Sequence, residues 1–174
     1  ASLQHKLRAL RGYERAGDRR MACALQVSVG YAQTQLGAHA EAERTLTFAL
    51  ATAEQLQLAG LAPSARENLG QALAGLGRWG EAMAMIREAI AAFRAQGSKR
   101  MEVGGHIYLA LMLAAQGELP AADEEAQAAL ALAPSAPMRA YALAVQAQVR
   151  LLQERSAEAL GVAREAMQLL ASLG

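Results

Sequence analysis

Few residues of this 174-residue chain have both the type and the spacing that chemistry needs. The three histidines, His5, His39 and His106, lie far apart and share no metal-ligand spacing. His106 follows Glu102 by four residues, so the two would meet on one helical face. A carboxylate beside an imidazole could move protons, but a helix-surface pair explains the same spacing and is the preferred reading. The single cysteine, Cys23, sits between Ala22 and Ala24 with no histidine placed to activate it. It reads as a buried structural thiol rather than a nucleophile. Gly104-Gly105 lacks the Gly-rich fingerprint and the following Lys of a phosphate loop. Two glycines inside a helix point instead to a close helix contact, or to close approach of a partner backbone. No residue is therefore assigned to catalysis, to a metal or to a cofactor, and an enzyme is not expected.

Charge narrows the partners. Lys and Arg number 17 against 16 Asp and Glu, a net charge of +1, so nothing global favours nucleic acid or membrane. Locally, residues 1–20 hold Lys6, Arg8, Arg11, Arg15, Arg19 and Arg20 against Glu14 and Asp18, six minus two or +4. Phosphate contacts made by such a segment would be salt-dependent. No nucleic-acid-reading module accompanies them, so nucleic acid is not the expected partner. No run of 18 apolar residues is present, so no membrane span is expected. A lone cysteine excludes an internal disulfide framework and suits the cytoplasm. The chain begins at Ala1 without a signal-like segment, and a fragment of a longer protein is expected.

Hydrophobic residues make up 53%, yet aromatics only 4%. Alanine supplies much of the difference, and it forms helices well but fills cores poorly. Many helices packed through small side chains follow from that balance. Three segments repeat at a spacing of 40: VGYAQTQLGAHAEAERTLTFAL (29–50), LGQALAGLGRWGEAMAMIREAI (69–90) and LALMLAAQGELPAADEEAQAAL (109–130). Gly37, Gly77 and Gly117 align, as do Ala42, Ala82 and Ala122, and Ala49, Ala89 and Ala129. A fourth copy, 37 residues on, keeps Ala159 and Ala166 but puts Glu154 in the glycine column. In each unit a helix ends at the glycine, where a left-handed residue is wanted, and a second helix follows at once. The alanines fall where the two helices must approach closely. Such hairpins cannot bury an apolar face alone, so they stack.

The seams between units are written as GDRRM and GSKRM, with Gly17 and Gly97 closing one helix. Asp18 and Ser98 are placed to cap the next. Pro63 suits the first turn of another, and Pro134-Ser135-Ala136-Pro137 marks the fourth seam. Leu3, Leu7 and Leu10 give residues 2–16 an apolar face, as in a partial repeat or a cap. The expected organisation is one domain, with a leading helix (1–17) and hairpins over 18–60, 61–97, 98–135 and 136–174.

This pattern resembles the tetratricopeptide repeat. The best copy matches through Leu69, Gly70, Leu73, Gly77, Trp79, Ala82, Ile86 and Ala89. The first matches through Val29, Gly30, Gly37, Ala42, Leu46 and Ala49, and departs at Gln33. The third has Leu109, Ala110, Leu113, Gly117, Ala122, Ala129 and Pro134. The usual repeat has 34 residues, and the lengthened form resembles those of bacterial regulators and kinases. A HEAT-type solenoid shares the period but leaves the Gly and Ala columns unexplained.

The resemblance implies an all-α fold: a right-handed superhelical solenoid of antiparallel helix hairpins with Trp79 in the core. It implies a non-catalytic protein-interaction or regulatory scaffold, a piece of a larger signalling protein, taking a peptide or partner domain in a concave groove. The first helix of each hairpin would line that groove, with Arg20, Ser28, Tyr31, Asn68, Gln71, Arg100, Tyr108, Tyr141 and Gln148 as partner-binding residues. Asn68 stands where related repeats use Asn to hold a peptide backbone. Chaperone-binding members carry a clamp of Lys and Asn, and no Lys occupies the equivalent places here. A second reading is self-association: Met167, Leu169 and Leu170 at the last helix have no following helix to cover them, and uncovered apolar ends pair.

Overall fold

The computed structural model describes residues 2–172. It is all-helical among those residues, with α1 (Leu3–Arg15), α2 (Arg19–Gln35), α3 (His39–Gln55), α4 (Ala62–Gly75), α5 (Trp79–Ala95), α6 (Lys99–Ala115), α7 (Leu119–Leu132), α8 (Ala136–Leu152) and α9 (Ser156–Ala171).

The punctuation follows local chemistry. Gly37, Gly77 and Gly117 have φ of 77°, 77° and 79°, in the left-handed region that lacks a steric penalty only for glycine. In the α2–α3 turn the amide of Ala38 donates to the Gln33 carbonyl (2.9 Å) and that of Gly37 to Thr34 (3.0 Å), which closes the helix end. The α8–α9 turn makes the same pair of bonds, Arg155 to Arg150 and Glu154 to Leu151, each 3.0 Å. There Glu154 takes φ 62° without glycine's freedom. Asp18 caps α2 by accepting from the Met21 amide at 3.0 Å. Ser98 holds the equivalent position on α6 but makes no side-chain cap bond, so the expected symmetry of the two seams is only partial. Prolines sit in the first turns of α4, α7 and α8, where the missing N–H has no intrahelical partner to lose.

The chain forms two compact units, Ala1–Ala89 and Ile90–Gly174. In the first, α1 packs on α2, α2 on α3 and α4, and α3 on α4. Leu10, Ala22 and Val29 form one buried cluster, with Leu3, Leu7 and Tyr13 against it. Cys23, Ala53 and Ala62 form a second. Cys23 is fully buried, its thiol donates to the Ala49 carbonyl at 3.3 Å, and burial raises its pKa. In the second unit α6 packs on α7 and α8, and α8 on both α7 and α9. Val103, Ile107, Ala110, Ala126, Ala129, Ala142 and Val145 form its core.

The alanine columns sit at the contacts they were expected to make. Ala42, Ala49, Ala82, Ala89, Ala122 and Ala129 are all completely buried. Gly70 shows why small residues are needed: a Cβ there would lie 2.9 Å from the Ala82 carbonyl oxygen. Trp79 departs from expectation. It is half-buried rather than central, because it opens α5 beside a solvent-facing turn.

Candidate functional site

The first helices of the hairpins are α2 and α4 in one unit and α6 and α8 in the other, and they carry the residues expected to meet a partner. On α2, Arg20 is exposed and borders a hollow of about 500 Å3 with the α3–α4 turn residues Leu56, Gln57, Leu58, Ala59, Gly60 and Leu61. Tyr31 is 39% exposed. Ser28 faces α1 instead: the Lys6 ammonium donates to its hydroxyl at 2.7 Å and to its carbonyl at 3.1 Å.

On α4, Asn68 and Gln71 are half-buried. Glu67 lies one turn before Gln71, on the same face. It is only 5% exposed, and its Oε1 has no hydrogen-bond partner, nor does Nε2 of Gln71. Burial alone pushes the Glu67 carboxyl up to about 7, since removal from water penalises the charged form. A buried oxygen and, four residues later, a buried amide nitrogen thus both stand unpaired. Buried polar groups are nearly always satisfied, so two unpaired ones on a single helix face stand out. Glu67 shared the expected inward-facing place with Asn68, which was the one assigned to partner binding; an acid in a column otherwise held by Val27 and Ile107 was the available signal for Glu67.

In the second unit Arg100 is exposed in the first turn of α6, and Tyr108 is half-buried. On α8, Tyr141 and Gln148 are exposed, seven residues apart on one face. Gln148 borders a hollow of about 500 Å3 between α8 and α9, lined also by Ala147, Leu151, Ser156, Ala159, Leu160 and Ala163. The expected residues therefore divide between the units: Arg20, Tyr31, Asn68 and Gln71 belong to the first, and Arg100, Tyr108, Tyr141 and Gln148 to the second.

Glu102 and His106 share a helical face, but they are buried rather than a surface pair. His106 donates from Nδ1 to Glu125 Oε2 at 2.6 Å, and Arg94 donates to its Nε2 at 3.4 Å and to Glu102 at 2.6 Å. Glu102 itself stands 4.0 Å from the ring. Sequence spacing could not reveal Glu125, which comes from the next helix. Gly104-Gly105 lies within α6, which runs through both. Among the described residues no group of three or more His, Cys, Asp or Glu side chains is arranged to hold a metal. No described helix is long and apolar enough to cross a membrane.

Solved structures share this architecture. BtubC (BKLC) from P. vanneervenii superposes with a TM-score of 0.74 at 14% identity, over 94% of this chain and 78% of its own. The fold is that of TPR-like repeat proteins. A Rap protein complexed with Competence and Sporulation Factor matches at TM-score 0.76 and 23% identity over 98% of this chain, which spans 47% of the Rap chain. A Podosopora anserina protein of nearly identical TPR-like repeats matches at 0.69 and 15%, over 98% of this chain and 96% of its own. No protein-family model and no curated protein matches the sequence.

Proposed function

We propose that this chain is a non-catalytic protein-interaction and regulatory scaffold, part of a larger signalling protein, that takes an extended peptide or partner domain on its first-helix faces. The observation that carries the reading is the unpaired buried couple on α4, Glu67 Oε1 and Gln71 Nε2. An extended backbone offers both an N–H and a C=O, the complement that this couple lacks. The exposed ring of Tyr31, on the neighbouring helix α2, supplies a rigid contact of the type that dominates interfaces. The Rap protein, of similar fold, was solved with a bound factor, which supports treating this fold as a binding scaffold. A cytoplasmic setting belongs to the same reading, and the lone buried thiol of Cys23 is compatible with it.

The test is selection from a displayed library of linear peptides, followed by titration of the selected peptides. Gln71→Ala and Tyr31→Ala should each weaken binding about tenfold, the cost of one lost hydrogen bond or aromatic contact in a desolvated site. Selected peptides that bind both variants as well as the parent would overturn the groove assignment.

A second reading, self-association, rests on the last helix. Leu160, Met167 and Leu170 are exposed on α9, Met167 to 70%, and exposed apolar patches commonly mark interfaces. Light scattering at high concentration tests it: a strict monomer removes the reading, while a dimer dispersed by Met167→Lys supports it.

A further inference from the structure

The 40-residue register places the same seam position in different chemical states within the first unit. Arg66 on α4 lies between two carboxylates, forming ion pairs with Glu54 on α3 and, at 3.3 Å, with Glu88 on α5. Forty residues earlier the corresponding trio is Gln26 on α2, Glu14 on α1 and Phe48 on α3. Here the central residue is an amide rather than a guanidinium. A cavity of about 200 Å3 opens at this place instead, lined by Glu14, Gly17, Arg19, Ala22, Gln26, Phe48 and Thr52.

Three features of this cavity are otherwise unexplained. Gln26, one of the lining residues, is only 8% exposed, and its buried Oε1 has no hydrogen-bond partner. Phe48 leaves 61% of its surface in solvent although a large aromatic ring gains much by burial. Glu14 is exposed and forms no ion pair among the described residues. An unpaired acceptor, an aromatic face and a free carboxylate around one small cavity complement a single chemical group, a cation with N–H donors.

We propose that the cavity between α1, α2 and α3 binds an arginine side chain of a partner protein, in the place that Arg66 fills from within the chain one repeat later. Glu14 takes the part of Glu54 and accepts the guanidinium's hydrogen bonds. Gln26 Oε1 accepts a further N–H. Phe48 replaces Glu88, offering a ring on which a planar guanidinium stacks. The geometry favours arginine over lysine, because a flat fork of donors can serve a carboxylate, an amide oxygen and a ring face together. Arg19, whose guanidinium donates to Gln55 at 2.8 Å, borders the same cavity and opposes an incoming cation. Its counterpart one repeat later is Ala59. The site is separate from the first-helix row and does not depend on the groove reading.

The probe is the tripeptide acetyl-Gly-Arg-Gly-amide, titrated into the isotope-labelled 174-residue protein and followed by NMR. The comparison ligand carries citrulline, which keeps the shape and loses the charge. The arginine peptide should shift the side-chain amide of Gln26 and the backbone amides around Phe48 saturably, with Kd on the order of 1 mM, and the citrulline peptide should bind about tenfold more weakly. Glu14→Gln and Phe48→Leu, both at exposed positions, should each weaken binding several-fold. Arg19→Ala should tighten it. Gln26→Arg should fill the cavity from within and abolish binding while the protein keeps its helical circular dichroism. Equal shifts with arginine and citrulline, no saturable shift at Gln26, or loss of binding in Arg19→Ala would each overturn the proposal.

Discussion

Replacing Glu67 by glutamine exchanges a buried acid for a neutral group of nearly the same shape. The carboxyl is raised from the ordinary 4.5 to about 7 by burial alone, so the folded protein holds its proton more tightly than the unfolded chain does. The sign follows from linkage: the folded state has its full stability below pH 4.5 and loses it as the pH rises through about 7, where the folded carboxyl must ionise. A displacement of that size corresponds to about 3 kcal/mol, most of it lost before pH 7.5. In a protein whose net stability is roughly 5–15 kcal/mol that is a large fraction. Glu67→Gln removes the titrating group and with it the whole pH-dependent loss.

The measurement is urea denaturation at several pH values between 4.5 and 8, followed by the fluorescence of Trp79, the single tryptophan. Other titrating groups are common to both proteins and cancel in the difference between them. Absolute stability is a poorer readout, because the new amide also needs partners in the same place. The difference should grow in favour of Glu67→Gln by about 3 kcal/mol from the acid to the alkaline end. Two curves that stay parallel across this range would refute the claim that Glu67 is buried without compensation.

Three further outcomes follow from single residues. Gly70→Ala places a Cβ 2.9 Å from the Ala82 carbonyl oxygen, which is backbone and cannot swing aside; it should destabilise by about 1–3 kcal/mol despite alanine's better helix propensity, and a raised melting temperature would show the seam to be looser than drawn. Glu154→Gly relieves the φ of 62° at the α8–α9 turn; denaturant titration should show a gain of up to about 1 kcal/mol, and no gain would mean that Glu154 rests there without strain. Arg94→Ala strips the buried Glu102 of its 2.6 Å donor; a loss of about 1–3 kcal/mol is expected in calorimetry, and an unchanged melting temperature would show that His106 satisfies Glu102 by itself.

The architecture was legible because it is written in small residues. A glycine that ends a helix at φ near 77° leaves a local mark, and so does an alanine that lets two axes approach. Both recur at the same spacing, so the periodicity survives although Glu154 breaks one column. What stayed hidden depends on partners distant in sequence. Ser28 reads as a groove residue until Lys6, 22 positions away, is seen to donate to it. His106 pairs on paper with Glu102, four residues off, yet its short hydrogen bond runs to Glu125 on another helix. Glu67 and Gln71 look like ordinary polar residues on a helix, and only the surrounding packing shows that Glu67 Oε1 and Gln71 Nε2 are buried without a protein partner.

The seam column at 26, 66 and 106 links these observations. The alanines and glycines around it fix the distance between helices but not the chemistry of the side chain enclosed there. In the second unit the column holds His106, satisfied by Arg94 and Glu125. In the first it holds Arg66, satisfied by Glu54 and Glu88, and Gln26, whose oxygen is left unsatisfied. Leaving a buried polar atom unpaired costs about 1–3 kcal/mol, and a glutamine at a seam gains nothing in packing over an apolar residue of similar volume. Polar residues at this column are therefore explained where the chain supplies their partners. At Gln26 it does not, and the free carboxylate of Glu14 beside the exposed ring of Phe48 specifies what kind of partner is missing.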